Sequence, residues 1–400
     1  MENNTVLTEF EKLKKEMGDE LARLLDYWIK NSYDIDYGGF LGGRDFYNQM
    51  VENAEKGSVL NARILWTFSA AYNFTQNEQY LEPATRAYQY LLDYFWDKEN
   101  GGLFWSVYHD GSVLSSRKQI YAQGFGIYGL SEYYRATNNK QSLDYAIQLF
   151  ELIEKYSYDN DNDGYIEALS KNWEKLDDMR LSEKDANEPK SMNTHLHILE
   201  PYTNLYRVWK DKRLEEKMKG LIQVFTRYII NSETSNFELF FDYDWKVKSD
   251  IISYGHDIEG AWLLAEAAHE LGNKELIEEV EKYTIRMVDA TIKDGFDKDG
   301  SVFYEKESGH LDEDKHWWPQ AEAMVGLTYA WKITGKTQYL EIMSQTWKFI
   351  KENIVDTKNG EWFWRVNNKG IANTNDVKLG FWKCPYHNSR ALMEVMGLLK

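Results

Sequence analysis

A closed ring of six helical hairpins is the fold this sequence predicts, and three observations predict it. The first is a recurrent phrase, an Asp/Asn/Gly turn followed by a brief aromatic, strand-like run. The second is the spacing of that phrase, close to 60 residues or a multiple of it. The third is an alternation between amphipathic helical segments and segments that are apolar nearly all round.

In chain order, TEFEKLKKEMGDELARLLDYWI carries apolar residues at three- and four-residue spacing with charge opposite, and it runs into DIDYGGF (Asp34–Phe40). SVLNARILWTFSAAYNF is the first of the apolar, small-residue segments. EPATRAYQYLLDYFW is amphipathic again and precedes WDKENGGLFW (Trp96–Trp105). IYAQGFGIYGLSEYYRA and QSLDYAIQLFELIEKY repeat the pair before YDNDNDGYIEAL (Tyr158–Leu169). NTHLHILEPYTNLYRVW and RLEEKMKGLIQVFTRYI form the next pair, followed by ETSNFELFFDYDW (Glu233–Trp245), which lacks the glycines and reads as a degenerate copy. HDIEGAWLLAEAAHEL and KELIEEVEKYTIRMVDATI lead to DGFDKDGSVFYE (Asp294–Glu305); PQAEAMVGLTYAWKIT and TQYLEIMSQTWKFIKENI lead to DTKNGEWFWRV (Asp356–Val366); HNSRALMEVMGLL ends the series. Gly38 to Gly101 and Gly101 to Gly164 are each 63 residues, Gly300 to Gly360 is 60, and Gly164 to Gly300 is 136, close to two periods. A helix apolar all round is buried, so six inner helices inside six half-exposed ones make an all-α (α/α)6 barrel. One catalytic domain over residues 1–400 is expected, with short hairpins between helices.

The bulk numbers narrow the function. With 47 Lys and Arg against 65 Asp and Glu, the net charge of −18 argues against a nucleic-acid surface. The single cysteine, Cys384, leaves no internal disulfide framework. The start has neither a basic nor an apolar leader region, and no apolar run reaches the roughly 20 residues of a membrane span. A cytoplasmic, monomeric protein is expected. Aromatics make 15% of the chain, which suits both helix-packed cores and sugar faces.

The unusual polar residues lie on, or at the start of, the inner helices: Arg63, His197, His256, Glu322 and His387. In a ring of hairpins the N-termini of those helices gather at one mouth, so residues far apart in sequence meet there. His256 and Glu259 are three apart and share a helical face, where a carboxylate fixes the tautomer of an imidazole and raises its basicity. His197 and Asn193 are four apart and point together, whereas His195, two from His197, faces elsewhere. Pro201 removes the helical donor of the His197 carbonyl. Arg63 offers a permanent planar charge; the alternative is a structural salt bridge. GFGIYG (Gly124–Gly129) sits within a helical pattern and is no phosphate loop.

SVLNARILW, SMNTHLHILEPYT, SYGHDIEGAWLL, HWWPQAEA and LGFWKCPYHNSRA span nearly the whole chain and resemble the N-acylglucosamine 2-epimerase family. The resemblance implies an (α/α)6 barrel that inverts C2 at the reducing end of a β-1,4-linked disaccharide, such as cellobiose or lactose, without metal or other cofactor. It implies that His256 and His387 transfer protons on opposite faces of the sugar, with His387 also protonating the ring oxygen. Arg63 and His197 then stabilise a cis-enediolate. Trp318 and Trp382 stack on the sugar, with Asn193, Glu322, Tyr121 and the loop acid Asp185 as further substrate contacts. Trp317 competes with Trp318.

Other readings compete. A His/Glu cluster can bind zinc, although Arg63 would repel a cation. A glycoside hydrolase on the same barrel would use two carboxylates such as Glu259 and Glu322, but leaves the histidines idle. A sugar-binding scaffold leaves the buried arginine unexplained. Within the family, an N-acyl-hexosamine epimerase or a mannose-type aldose–ketose isomerase are the alternatives.

Overall fold

A computed structural model describes residues 2–399. Its helices are α1 (Glu2–Asn31), α2 (Ser58–Thr75), α3 (Leu81–Tyr90), α4 (Ile120–Thr137), α5 (Lys140–Tyr156) and α6 (Met192–Val208). They continue with α7 (Lys212–Val224), α8 (Tyr254–Leu271), α9 (Lys274–Gly295), α10 (Trp317–Thr334), α11 (Gln338–Phe349) and α12 (Tyr386–Leu398). The even-numbered helices pack side by side, α2 on α4, α4 on α6, and so on until α12 returns against α2 and closes the ring. Each odd-numbered helix lies outside an inner one, with α1 covering α12. The periodicity therefore predicts the architecture correctly.

Sequence chemistry explains the connections. Inner helices end on left-handed residues, Gln76, Asn138, Gly272 and Gly335, which satisfy the last carbonyls. The next residue after Asn138 and after Gly272 caps the following outer helix, Asn139 to Ser142 N–H and Asn273 to Leu276 N–H.

All six turn phrases form the same antiparallel bridge, including the degenerate one: Tyr33 with Phe40, Trp96 with Leu103, Tyr158 with Tyr165, Ile230 with Phe237, Phe296 with Val302 and Val355 with Trp362. In five repeats the turn aspartate pairs with a buried lysine from the segment before the next inner helix. These pairs are Asp34–Lys56, Asp97–Lys118, Asp159–Lys190, Asp297–Lys315 and Asp356–Lys378. The fourth repeat has Asn231 and Ile252 at these places, so both charges are lost together. That is the substitution a buried ion pair tolerates, because a single loss strands a charge.

The turn also fixes how far each inner helix slides. Gln123 accepts from Leu103 N–H, His195 from Tyr165 N–H, Asp257 from Phe237 N–H and Gln320 from Val302 N–H, at 2.7–2.8 Å. Each of these stands at the fourth position of its helix. His195 is therefore a structural residue facing the turn, its Nδ1 donating to the Ser191 carbonyl at 2.6 Å. The glycines of GFGIYG serve packing: Gly124 abuts the His197 carbonyl that Pro201 leaves without a helical donor, and Gly129 abuts the Ala62 carbonyl.

Candidate active site

Two residues beyond the anchoring position, the six inner helices present Arg63, Phe125, His197, Glu259, Glu322 and Arg390 at one level. Above this ring a cavity of about 490 Å³ opens toward the helix N-termini. Arg63, Tyr121, Asn193, His197, His256, Glu259, Trp318, Trp382 and His387 line it, together with Asp185 on the loop before α6. Of the eleven residues singled out from sequence, Glu322 is the one that does not reach the cavity wall.

The carboxylates are paired otherwise than the helical spacing suggests. His256, in the first turn of α8, bonds through Nδ1 to Ser253 Oγ at 2.8 Å and makes no bridge to Glu259. Glu259 points inward one turn deeper, where its Oε1 accepts from Arg390 Nη2 at 2.6 Å. The residue that orients an imidazole is Glu322: its Oε1 lies 2.6 Å from His387 Nδ1, while Oε2 accepts from Trp262 Nε1–H at 3.0 Å. Glu322 is thus a positioning group behind His387 and not a substrate contact, and Glu259 does not orient His256. His197 is held in the same manner, Nδ1 to Glu200 Oε2 at 2.9 Å.

Arg390 ties these groups together. Its Nη2 donates to Glu259 and to Glu322 at 2.6 and 2.7 Å, and its Nη1 reaches Glu200 and Tyr386. Arg63, by contrast, has no carboxylate partner among the described residues. Its Nη2 donates to Tyr121 Oη at 2.7 Å, and the guanidinium lies over Phe125 and Tyr386, 4.2 and 4.7 Å from the ring centres. The salt-bridge reading of Arg63 fails, and a free positive charge remains at the cavity floor.

Burial decides the protonation states. It lowers His256 to about 3, helped by His197 and Arg63, and it lowers His387 well below 6.5 with Arg63 and Arg390 adding to it. Both rings are neutral at pH 7. The His387 Nδ1–H is committed to Glu322, so the ring's lone pair is on Nε2. Burial and the Glu322 charge raise Glu259 to about 7, and burial raises Glu322. Glu200 goes the other way: despite burial, Arg390 and His197 hold it at about 2.

Trp318 stands between the two neutral imidazoles, its ring 4.6 Å from that of His256 and 5.7 Å from that of His387. Trp382 lines the same cavity from the loop before α12, its ring 5.9 Å from that of Tyr121. Trp317 also lines the cavity but is packed on Trp364, 4.8 Å away. The buried Asn193 Oδ1 has no hydrogen-bond partner among the described residues. Asp185 accepts from Ser182 N–H at 2.8 Å, and burial raises its pKa. Arg390, Tyr386 and Glu200 escape the sequence reading, as does His316, which lines the cavity stacked on Tyr304 at 3.7 Å. Arg390 was findable: it occupies the helical position of Arg63.

Among the described residues, Glu259, Glu322 and His387 form the one group whose donor atoms cluster at metal-ligand spacing, within 4.8 Å. Arg390 Nη2 already bonds both carboxylates, so a cation there would have to displace a guanidinium. The same pinning weakens the hydrolase reading, since a retaining pair wants its carboxylates about 5–5.5 Å apart with both reaching the sugar.

Known proteins resemble this chain over nearly its whole length. The family model described as N-acylglucosamine 2-epimerase matches residues 39–391. The chain is 50% identical over 390 residues to a cellobiose 2-epimerase from Bacteroides fragilis, covering 97% of this chain and 99% of the relative. It is 36% identical to one from Dictyoglomus turgidum, covering 96% and 98%. The structure of cellobiose 2-epimerase from Bacillus thermoamylovorans B4167 superposes with a TM-score of 0.92 at 37% identity, covering 97% of this chain and 99% of that one. With the family model and these relatives spanning nearly its full length, this chain belongs to the N-acylglucosamine 2-epimerase family.

Proposed function

We propose that this chain is an isomerase that epimerises C2 of the reducing-end glucose in β-1,4-linked disaccharides, converting cellobiose to glucosyl-mannose and lactose to epilactose. The observation that carries the reading is a pair of neutral imidazoles, His256 and His387, bordering one aromatic plate in a cavity that also exposes an unpaired guanidinium. After the pyranose opens, one imidazole takes the C2 proton and the electron pair moves to the C1 oxygen, giving a cis-enediolate. Arg63, with no carboxylate to neutralise it, is the donor for that developing charge, with His197 beside it. The other ring, protonated from solvent at its cavity-facing nitrogen, gives that proton to the opposite face of C2; the carbonyl re-forms, the first ring releases its proton to solvent, and the glycosidic bond is untouched. Trp318 and Trp382 hold the sugar faces, while Tyr121, Asn193 and Asp185 offer polar contacts.

The test is turnover of cellobiose in D2O with EDTA present. Deuterium at C2 of a new disaccharide, with C1 unlabelled, is the expected outcome, because separate donor and acceptor rings exchange with solvent independently. An unlabelled epimer would remove the two-histidine route, and free glucose would mark a hydrolase.

A further inference from the structure

One buried carboxylate outside the cavity stands in an unusual backbone position. Turns one, two, three and six of the repeat place two successive residues at positive φ. The second of them is glycine in three turns, Gly39, Gly102 and Gly164, but Glu361 in the sixth, at φ 60°. A side chain there is disfavoured, since only glycine adopts this conformation freely. Glu361 is nevertheless fully buried, and its carboxylate is saturated. Oε1 accepts from Lys383 Nζ at 2.7 Å, from Asn388 Nδ2 at 2.8 Å and from Trp362 N–H at 2.8 Å, and Oε2 accepts from Trp28 Nε1–H.

The partners explain the placement. In repeats two to five the turn N–H is taken by a side chain from the inner helix: Gln123, His195, Asp257 or Gln320. In the sixth, the equivalent N–H, that of Trp362, goes to Glu361 itself, and Asn388 of α12 reaches the turn only through this carboxylate. Lys383 follows Trp382 and Asn388 follows His387, so Glu361 holds the chain directly after each of these two cavity residues. The segment 380–385, which carries Trp382 and leads into α12, is neither helix nor strand, and Gly380 N–H to the Lys383 carbonyl is a backbone bond within it. The Lys383 ammonium, itself fully buried, also sits 4.8 Å over the Trp317 ring at the cavity wall.

From this geometry we infer that Glu361 is a positioning residue for the reaction: its buried carboxylate, through Lys383 and Asn388, sets where Trp382 and His387 stand. This rests on His387 being a proton-transfer group, and the experiment separates the two ideas. Glu361→Gln and Asn388→Ala are assayed with cellobiose for kcat, KM and the pH dependence of kcat, beside His387→Ala and Leu149→Ala. Leu149 lies fully buried on the outer helix α5, so its truncation destabilises without touching the segment. Expected are a fall in kcat of about 10-fold or more in Glu361→Gln and in Asn388→Ala, KM changed by less than about 3-fold, and a displaced pH profile. Leu149→Ala should keep the parent kcat and profile below its melting temperature. Should Glu361→Gln not fold, Asn388→Ala decides, because it leaves the Glu361–Lys383 pair intact. A parent-like kcat and profile in the folded variants, with His387→Ala inactive, overturns the positioning role alone. An active His387→Ala overturns the reading beneath it.

Discussion

Glu322 Oε1 and His387 Nδ1 lie 2.6 Å apart, although 65 residues separate them in the chain. The contact fixes the imidazole's tautomer and holds its free nitrogen toward the cavity. Glu322→Gln keeps the size and the Trp262 contact but removes the charge and lets the amide turn either face to the ring. The expected loss is about 100-fold or more in kcat, the scale of a neutralised orienting carboxylate, with little change in KM. Steady-state kinetics on cellobiose check this; a kcat within a few-fold of the parent would leave Glu322 as a packing group.

The two histidines of NTHLH should separate cleanly. His195 spends both ring nitrogens on the fold, accepting from Tyr165 N–H and donating to the Ser191 carbonyl. His195→Asn should therefore cost about 1–3 kcal/mol in denaturant unfolding while kcat stays within a few-fold. His197 faces the cavity from beside Arg63, so His197→Asn should lower kcat by about 100-fold with a smaller effect on unfolding. The reverse pairing of outcomes would mean that the assignment of faces on α6 is wrong.

Much of this was legible because period fixes phase. The twelve helices and the ring follow from alternating apolar and amphipathic stretches, and the outward turn of His195 follows from its being two residues from His197. The pairing of His256 with Glu259 was misread because spacing along one helix says that two residues share a face, not which neighbouring helix each meets. His256 stands in the first turn beside Ser253, whereas Glu259 is one turn deeper, where α12 brings Arg390. Glu322 meets His387 only because α10 packs on α12, a relation that no local pattern encodes. The lysine–aspartate pairs did carry a signal, a lysine two residues before α2, α4, α6 and α10 and an aspartate opening the preceding turn.

Glu167 offers a pH test outside the reaction. It is buried at the start of α6, where Ser191 N–H and Oγ donate to Oε1 and Thr194 Oγ1 donates to Oε2. Burial nonetheless raises it from 4.5 to about 7. The folded state then binds this proton more tightly than the unfolded chain does, so its contribution to stability is lost as pH rises from about 4.5 to 7. Glu167→Gln, which can keep all three contacts by turning the Thr194 hydroxyl, carries no such penalty. Relative to the parent it should be near neutral at about pH 5 and more stable by about 1–3 kcal/mol above about pH 7.5. Urea titrations at the two pH values measure the difference, and an advantage independent of pH would contradict the raised carboxyl.

Two glycines in helix interiors should respond oppositely to the same methyl group. Gly220, within α7, has open space where a Cβ would stand, so Gly220→Ala removes backbone entropy from the unfolded chain and meets nothing. A gain of about 0.5–1 kcal/mol is expected. At Gly124 the Cβ would collide with the His197 carbonyl oxygen and press on Pro201. Backbone cannot rotate away as a flexible side chain can, so α4 and α6 must separate at the level of His197. Gly124→Ala should lose about 1–3 kcal/mol in unfolding and should lower kcat as well, because His197 moves with its carbonyl. Thermal melts and cellobiose kinetics on both variants test the pair. A Gly124→Ala protein as stable and as active as the parent would show that α4 and α6 do not meet this closely in solution.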